Sequence, residues 1–523
     1  MESFQRYWNT VRYLKARQIF YQLRHRLIRR NWNVDVNSTG AVPVFPLRLS
    51  SSVASPVSFH GENKFTFLNR TQEFKENIQW NFHDHGKLWT YNLNYFDFLN
   101  QPGISQPDAL KLITSFCDYH LNARDGREPY PISLRGINWI KFLSTNNISN
   151  ARFNDVLKAD YDYLADHPEY HLLGNHLLEN GFSLLIGAYY FHNDKYYQAA
   201  KSILIAELDE QILADGAHFE LSPMYHQVLL YRLLDCINVV TNNPWKDDDL
   251  SMLLVTKAGE MLGWLSAVTF SDGSIPMVND SIYGIAPTTT ELLRYAERLK
   301  LNKLESPLRE SGYRMIRTTK YELFIDAGQI GPDYIPGHAH SDTFNFILFA
   351  KGKPIVIEVG TSTYETGSRR LMERSAKSHN TVVIDNRNQS DVWASFRVGR
   401  RAHIISISEN DSSISAEHDG YRRIGAIHQR KWTWSDNEIV IEDNVLSERA
   451  DHDLKAYLHF DPSCRVELTG DVISAPGLRI SFDAGTEVEL MEYEAANSYN
   501  VLEKGKLVEL TFRQRLQTKI LLT

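Results

Sequence analysis

The feature that most restricts the fold is a change of period near residue 300. Before it, apolar residues recur at the 3.6-residue spacing of helices over Ala109 to Asn122, Asn154 to Asp166, His176 to Phe191 and Lys195 to Leu213. The same spacing continues through Met224 to Val240, Leu250 to Val268 and Thr289 to Leu299. From about Gly312 the apolar residues fall instead into short β-rich runs separated by Gly, Asp, Asn and Ser. These runs are Tyr321 to Asp326, Phe344 to Ala350, Pro354 to Val359, Thr381 to Ile384, His403 to Ile407 and Lys431 to Trp434. Glu438 to Ile441, Leu454 to Phe460, Leu478 to Phe482 and Thr518 to Leu522 complete the series. We therefore expect a helical domain over 61–305, a boundary within Leu301 to Ser311, and an antiparallel β-sandwich over 312–523. Residues 1–60 stand apart as a basic helix and an extended linker. The sequence contains no fixed-period repeat and no low-complexity tract.

With 523 residues, 43% of them hydrophobic, the chain can bury one or two sizeable cores, which excludes disordered and fibrous classes. Acidic residues outnumber basic ones by 64 to 56, and the net charge of −8 argues against nucleic acid as a partner. A polyanionic ligand would have to meet a local basic site. Cys117, Cys236 and Cys464 are too widely separated for a disulfide framework or the paired thiolates of a zinc ribbon. The best apolar run, Gly181 to Phe191, falls short of the roughly 20 residues that span a bilayer, so we expect a soluble protein.

Met1 to Arg30 carries eight Lys or Arg against one Glu and has no continuous apolar stretch, which excludes an ordinary secretory signal. A cytoplasmic location is expected over export to the periplasm. Phe4, Tyr7, Trp8, Val11 and Leu14, then Phe20, Leu23 and Leu27, recur at helical spacing, with Arg6, Arg12, Arg17 and Arg24 mostly elsewhere. Such a helix either packs on its own domain, the plainer reading, or lies on an anionic membrane surface. A Ser, Pro and Val-rich passage from about Val34 to Phe59 follows it.

Four constellations carry candidate chemistry. In Gly-Asn-His-Leu-Leu-Glu-Asn, residues 174–180, Asn175 stands where a helix begins, and His176 and Glu179 share one helical face at i and i+3. The alternative is a capping Asn and a core His. In the stretch Asp215 to His226, Ser222 and Pro223 form an N-cap and first-turn pair, which puts Tyr225 in the first helical turn. A phenol at the positive end of a helix is expected to have a pKa below its usual value of about 10, although a tyrosine merely packed there fits the spacing as well. If both helix ends converge, their free N–H groups make an anion site. In Pro-Gly-His-Ala-His-Ser-Asp, residues 336–342, His338 and His340 point to one side of an extended segment. One can then ligate a metal while the other faces a substrate. His340, Glu358 and His379 would form a two-histidine, one-carboxylate set suited to zinc, unless the pair of histidines is fortuitous. In the fourth, Gln389 to Arg401, Trp393 could stack a sugar ring and Arg397 clamp a carboxylate or sulfate. Arg135, Asn138 and Trp139 could do the same from the helical domain. Surface charge and core tryptophans are the plain alternative.

Taken in order, Asn-His-x-x-Glu-Asn, Asp-Gly-x-His-Phe-Glu-x-Ser-Pro-Met-Tyr-His, Gly-His-Ala-His-x-Asp, Gly-Thr-Ser-Thr-Tyr and His-Asn-Thr resemble the heparinase II/III and alginate-lyase superfamily of polysaccharide lyases. The likeness extends over roughly residues 85–405. It implies an (α/α) toroid, an incomplete barrel of helical hairpins, followed by an antiparallel β-sandwich with the active cleft between them. It implies further that Asn175 neutralises a uronate carboxylate with His176 beside it, that Glu179 assists, and that Tyr225 and His338 are catalytic, Tyr225 as the acid or as both base and acid of a syn elimination, His338 as the base of an anti elimination. His340, Glu358 and His379 correspond to a structural metal site, with no organic cofactor; Glu358 stands where many relatives carry Asp. The implied reaction is β-elimination on an anionic uronic-acid polysaccharide, in which the C-5 proton is lost and an unsaturated uronyl end remains. Removing that proton requires a neutralised carboxylate and a base within about 3 Å. Three other readings remain: a uronyl epimerase or other tailoring enzyme of polysaccharide assembly, a glycan-binding protein without turnover, and a glycoside hydrolase. The hydrolase would draw its paired carboxylates from Asp215, Glu220, Asp272 and Asp280.

Overall fold

The computed structural model describes residues 2–27 and 42–523. Eleven of its α-helices precede the β-rich half: α1 (Glu2–Val11), α2 (Ala16–Leu27), α3 (Lys87–Tyr95), α4 (Gln106–Tyr119), α5 (Pro129–Thr145) and α6 (Ala151–Asp166), then α7 (Gly174–Phe191), α8 (Asp194–Gln211), α9 (Pro223–Asn242), α10 (Leu250–Val268) and α11 (Thr289–Arg298). Short polar residues start them as caps. Ser105, Asn150, Asn193 and Ser222 each accept a backbone N–H of the following helix, and Thr288 with Glu291 closes a capping box on α11. Successive helices pair, α7 with α8 and α9 with α10, while α7 packs on both α5 and α9. This is the helical toroid expected from the sequence.

Beyond Arg298 every sheet is antiparallel. Tyr313–Arg317, Tyr321–Asp326, Phe346–Ala350 and Lys353–Val356 form a four-stranded sheet that joins the two halves. Its alternation shows how. Phe324, Ile347 and Phe349 belong to the helical core, where Phe349 stacks on Phe270 with ring centroids 3.9 Å apart. Leu323, Ile325, Phe346 and Leu348 belong to the core of the sandwich. That second core lies mainly between an eight-stranded sheet, running from Ile404–Asn410 at one edge to Glu467–Thr469 at the other, and a second four-stranded sheet containing Val382–Ile384 and Leu454–His459. A sheet buried on both faces leaves the loops at its ends, including Pro336 to Asp342, directed at the helical half.

The N-terminal segment departs from expectation. Two helices, not one, occupy residues 2–27, and both pack on the chain itself, α1 on the hairpin around Val398 and α2 on the loop at Leu172. The part of the expected linker from Val34 to residue 41 lies outside the described residues. From Val42 the chain runs extended along the helical domain, where the Phe45 N–H donates to the Tyr190 carbonyl at 2.7 Å and Leu47 and Val53 are buried.

Candidate active site

Asn175 sits in the first turn of α7, set there by a sharp entry in which Leu173 and Gly174 have φ of 65° and 58°. At Gly174 a Cβ would lie 2.8 Å from Glu220 Oε1 and 3.0 Å from Ile335 Cδ1, so a larger residue would push the helix start out of the cleft. The Asn175 amide donates to Glu220 Oε2 and Oε1 at 3.0 and 3.2 Å, and its backbone N–H faces Oε1 at 3.4 Å. The start of α7 is thus occupied by a carboxylate of the protein itself, a departure from the open anion site expected of converging helix ends.

His338 approaches from the β-half. Its Nε2 stands 3.5 Å from Asn175 Nδ2 and 3.7 Å from Glu220 Oε2, and its Nδ1 is 2.9 Å from Asp280 Oδ2. The Asp280 backbone N–H donates to the His338 carbonyl at 3.1 Å, which ties the two segments together. Asp280 is fully buried. Burial opposes its ionisation, but the Arg370 guanidinium on both carboxylate oxygens, with hydrogen bonds from His338 and His340, holds it well below the usual carboxylate range. An ionised carboxylate only accepts, so His338 donates through Nδ1 and its Nε2 lone pair is turned to the cleft.

The ring of Tyr225 lies over His338, with centroids 4.0 Å apart and planes inclined by 33°. Ser222 caps α9 as expected, accepting the Tyr225 N–H at 3.3 Å, and the phenol oxygen is 3.2 Å from that of Tyr364. The expected lowering of the phenol pKa does not hold. Burial pushes it well above 10, the Tyr499, Asp280 and Glu220 side chains add to the rise, and the Tyr364 hydrogen bond opposes it. Removal from water outweighs the helix dipole, whose effect is worth about 0.3–1 kcal/mol at exposed sites.

Asn175, Tyr225 and His338 therefore meet where the two halves of the chain join. His176 stands beside them, its ring 4.5 Å from that of Tyr130 and its Nδ1 3.2 Å from Glu169. Glu179 is fully buried one turn further along, 3.1 Å from Arg232 Nε; burial raises its pKa to about 7 against the pull of Arg232. Three residues proposed as substrate contacts lie elsewhere. Arg135 is fully buried on Asp160, and Asn138 donates to the Tyr95 carbonyl and to Asp97. Trp139 packs in the helical core among Phe96, Phe116 and Phe153. Trp393 is partly covered, because Tyr7 meets its ring edge-on and its Nε1 donates to Thr10. Arg397 stays exposed, 5.3 Å above the Trp393 ring.

Four site residues escaped the sequence reading or entered it in another role. Glu220 and Asp280 figured only as hydrolase carboxylates; here they bind Asn175 and His338. Tyr364 lay unremarked within the Gly-Thr-Ser-Thr-Tyr run. Arg370 sits in a polar stretch that reads as surface, with nothing local to mark it as buried. The other two hydrolase candidates do not pair across the cleft: Asp215 accepts from the Ser311 backbone N–H at 2.8 Å, and Asp272 closes a turn at Ser274.

The expected metal ligands are buried neighbours. His379 Nδ1 pairs with Glu358 Oε2, the His340 and His379 rings are 5.3 Å apart, and His340 Nε2 is 2.9 Å from Asp280. Burial lowers the His340 pKa to about 3, so this imidazole is neutral, as a ligand must be. His340 Nδ1, His379 Nε2 and Glu358 Oε1 are buried without hydrogen-bond partners, and their chemistry suits zinc. Among the described residues, however, no three His, Cys, Asp or Glu side chains converge as a metal site, since Glu358 is turned onto His379.

Two family signatures cover most of the chain: Heparinase II/III N-terminus over residues 133–299 and Heparinase II/III-like, C-terminal over 301–521. The chain belongs to the heparinase II/III family. Among curated relatives, a heparin-sulfate lyase of Pedobacter heparinus is 24% identical over 258 residues, 43% of this chain and 38% of the relative. A heparin-sulfate lyase of Bacteroides stercoris is 21% identical over 315 residues, 54% of this chain and 45% of the relative. The heparinase II/III-like chain thus spans less than half the length of these relatives in the matched region. Among solved structures, a heparinase III superposes with a TM-score of 0.67 at 16% identity, over 86% of this chain and 80% of the other. A mutant heparan sulfate lyase of Pedobacter heparinus gives 0.58 at 18% identity, over 88% and 81%. At such identities the superpositions establish the fold, a toroid followed by a β-sandwich.

Proposed function

We propose that this heparinase II/III-like protein is a polysaccharide lyase that cleaves a uronic-acid-containing anionic polysaccharide by β-elimination. The observation that carries the reading is the meeting of Asn175, Tyr225 and His338, from both halves of the chain, around one imidazole nitrogen whose partner nitrogen is fixed on Asp280. His338 Nε2 takes the C-5 proton, the electron pair forms the C-4 to C-5 double bond, and the C-4 to oxygen bond breaks. Tyr225, kept protonated by burial, gives its proton to the leaving glycosidic oxygen. Asp280 stays hydrogen-bonded to Nδ1 while Nε2 takes the proton, which fixes the ring in place. The Asn175 amide faces Glu220 with one hydrogen and His338 Nε2 with the other; turning the second from His338 to the uronate carboxylate would place a donor where negative charge grows in the transition state. The relatives named above, heparin-sulfate lyases by description, support an anionic polysaccharide as the substrate class.

The test is incubation of the purified protein with a panel of uronic-acid polymers, from alginate and heparan sulfate to bacterial capsules, followed by ultraviolet absorbance. An unsaturated uronyl end on the products supports the lyase. Saturated reducing ends would instead indicate hydrolysis, unchanged chain length with inverted C-5 an epimerase, and binding without turnover a lectin-like role.

A structural divalent metal at His340, Glu358 and His379 belongs to the same proposal; their three unpartnered buried atoms support it, and Glu358 would have to turn from His379 to complete the set. If bound, it would neutralise Glu358 and link the segments that carry these three residues. Elemental analysis of the purified protein, with and without chelator, tests it.

A further inference from the structure

The N-terminal helices divide sharply into an inner and an outer side. On the inner side Thr10 donates to the Val398 carbonyl at 3.1 Å and Arg401 donates to the Asn9 carbonyl at 3.2 Å. Gln18, buried, donates to the Leu172 carbonyl at 3.2 Å, and Arg17 lies 3.9 Å over the Tyr170 ring. The pair of helices is therefore fixed to both halves of the chain: α1 to the hairpin that carries Phe396, a neighbour of His338, and α2 to the loop that leads into Asn175.

Among the described residues the outer side makes no such contact with the rest of the chain, and Arg12 donates to the adjacent Tyr13 hydroxyl at 2.7 Å. Trp8 and Val11 on α1, and Arg12 just past its end, follow one another at i, i+3 and i+4, away from Thr10, and Trp8 is 60% exposed. On α2, Phe20, Leu23 and Arg24 repeat that spacing opposite Gln18, with Phe20 61% and Leu23 53% exposed. Large apolar side chains at this exposure, rimmed by guanidinium groups, are what a helix presents to an interface with headgroups outside and hydrocarbon within. The charge is equally one-sided, because no Asp or Glu occurs from Ser3 to Val34 in a protein whose net charge is −8.

We propose that the outer faces of α1 and α2 dock on an anionic lipid surface, with Trp8, Phe20 and Leu23 entering the headgroup boundary and Arg12 and Arg24 meeting lipid phosphates. A docked chain would hold its cleft beside the membrane, since both helices rest on segments that line that cleft. The proposal is independent of the reaction catalysed there.

Co-sedimentation of the full chain with vesicles of phosphatidylcholine alone and of phosphatidylcholine with phosphatidylglycerol tests it. Binding is expected only with the anionic lipid and should weaken as salt rises. Trp8→Ser with Phe20→Ser and Leu23→Ser should weaken binding by roughly tenfold or more, and Arg12→Gln with Arg24→Gln should remove the preference for anionic lipid, with melting temperatures unchanged. Should the triple variant misfold, Trp8→Ser alone serves as the apolar variant. Equal binding to both vesicles, binding unaffected by these variants, or no binding would overturn the proposal. So would a concentration-dependent dimer, seen by light scattering and lost in the triple variant, which would make a second copy the occupant of this face.

Discussion

His338 Nδ1 donates to Asp280 Oδ2 at 2.9 Å, and that single contact decides which nitrogen of the imidazole can act as a base. Asp280 can play this part because Arg370 engages both of its oxygens and keeps it ionised in a fully buried position. A chain of charge thus runs from Arg370 through Asp280 to His338 and ends at the cleft, with the Tyr225 ring over its last member.

Asp280→Asn tests this chain. An amide can still meet His338, but it no longer enforces the Nδ1–H tautomer and cannot offset an imidazolium. On the polymer that scores in the lyase screen, turnover should fall by about 10²–10⁴-fold with little change in KM. The readout is steady-state kinetics with circular dichroism to verify the fold; turnover within a factor of a few of the parent would remove Asp280 from the mechanism.

Tyr225→Phe separates the acid from its surroundings. Among the described residues the phenol hydrogen-bonds Tyr364, and loss of that bond costs roughly 0.5–1.5 kcal/mol of stability, whereas loss of the transferable proton should lower turnover by about 10²–10⁴-fold. Tyr364→Phe removes the same contact from the other side and should leave most of the activity. Comparable losses in the two variants would show that the contact, and not the proton, matters.

How much of this was legible in the sequence follows from where each element lies. Helices with one polar face, such as α8 and α11, announce themselves by period, and the expected ends of α10 match those observed. α5 does not, because Pro129 to Ser144 is buried almost throughout and carries no amphipathic stripe, so nothing in the sequence distinguishes Arg135, Asn138 and Trp139 within it from ligand contacts. At the site, Asn175, Tyr225 and His338 stand in short motifs with a helix cap or an i, i+2 pair and so could be named beforehand. Their partners Glu220, Asp280 and Arg370 act through tertiary contacts 45, 58 and 90 residues distant in sequence, which no local pattern encodes.

Arg135→Ala should behave as a core lesion. The guanidinium donates to Asp160 at 2.6 and 3.0 Å and to the Gly126 carbonyl at 2.8 Å, all within the helical domain. Burial opposes ionisation of Asp160, and Arg135 is the first of the groups that hold it below the usual carboxylate range, so removal strands a buried charge at a cost of about 3–5 kcal/mol. Chemical denaturation should show a lower midpoint, while the folded fraction keeps the parent KM. A raised KM at parent stability would restore Arg135 to the substrate.

The Glu169 and His176 pair predicts a pH dependence of stability. Burial works against both charges, yet the His176 cation holds Glu169 below its ordinary pKa, and the Glu169 charge with its hydrogen bond raises His176 above about 6.5. For the imidazole, whose folded pKa is the higher, the stabilisation is complete below the unfolded value and is lost as pH rises through the folded one. For the carboxylate, whose folded pKa is the lower, it is complete above the unfolded value and is lost as pH falls through the folded one. The pair therefore stabilises most between the ordinary carboxylate and imidazole pKa values. Because a third of the His176 side chain reaches solvent, the effect is on the order of 1 kcal/mol. Melting temperatures of the parent and of His176→Gln should differ most near pH 5.5 and converge towards pH 9; a constant difference across that range would show that the imidazole contributes only packing against Tyr130.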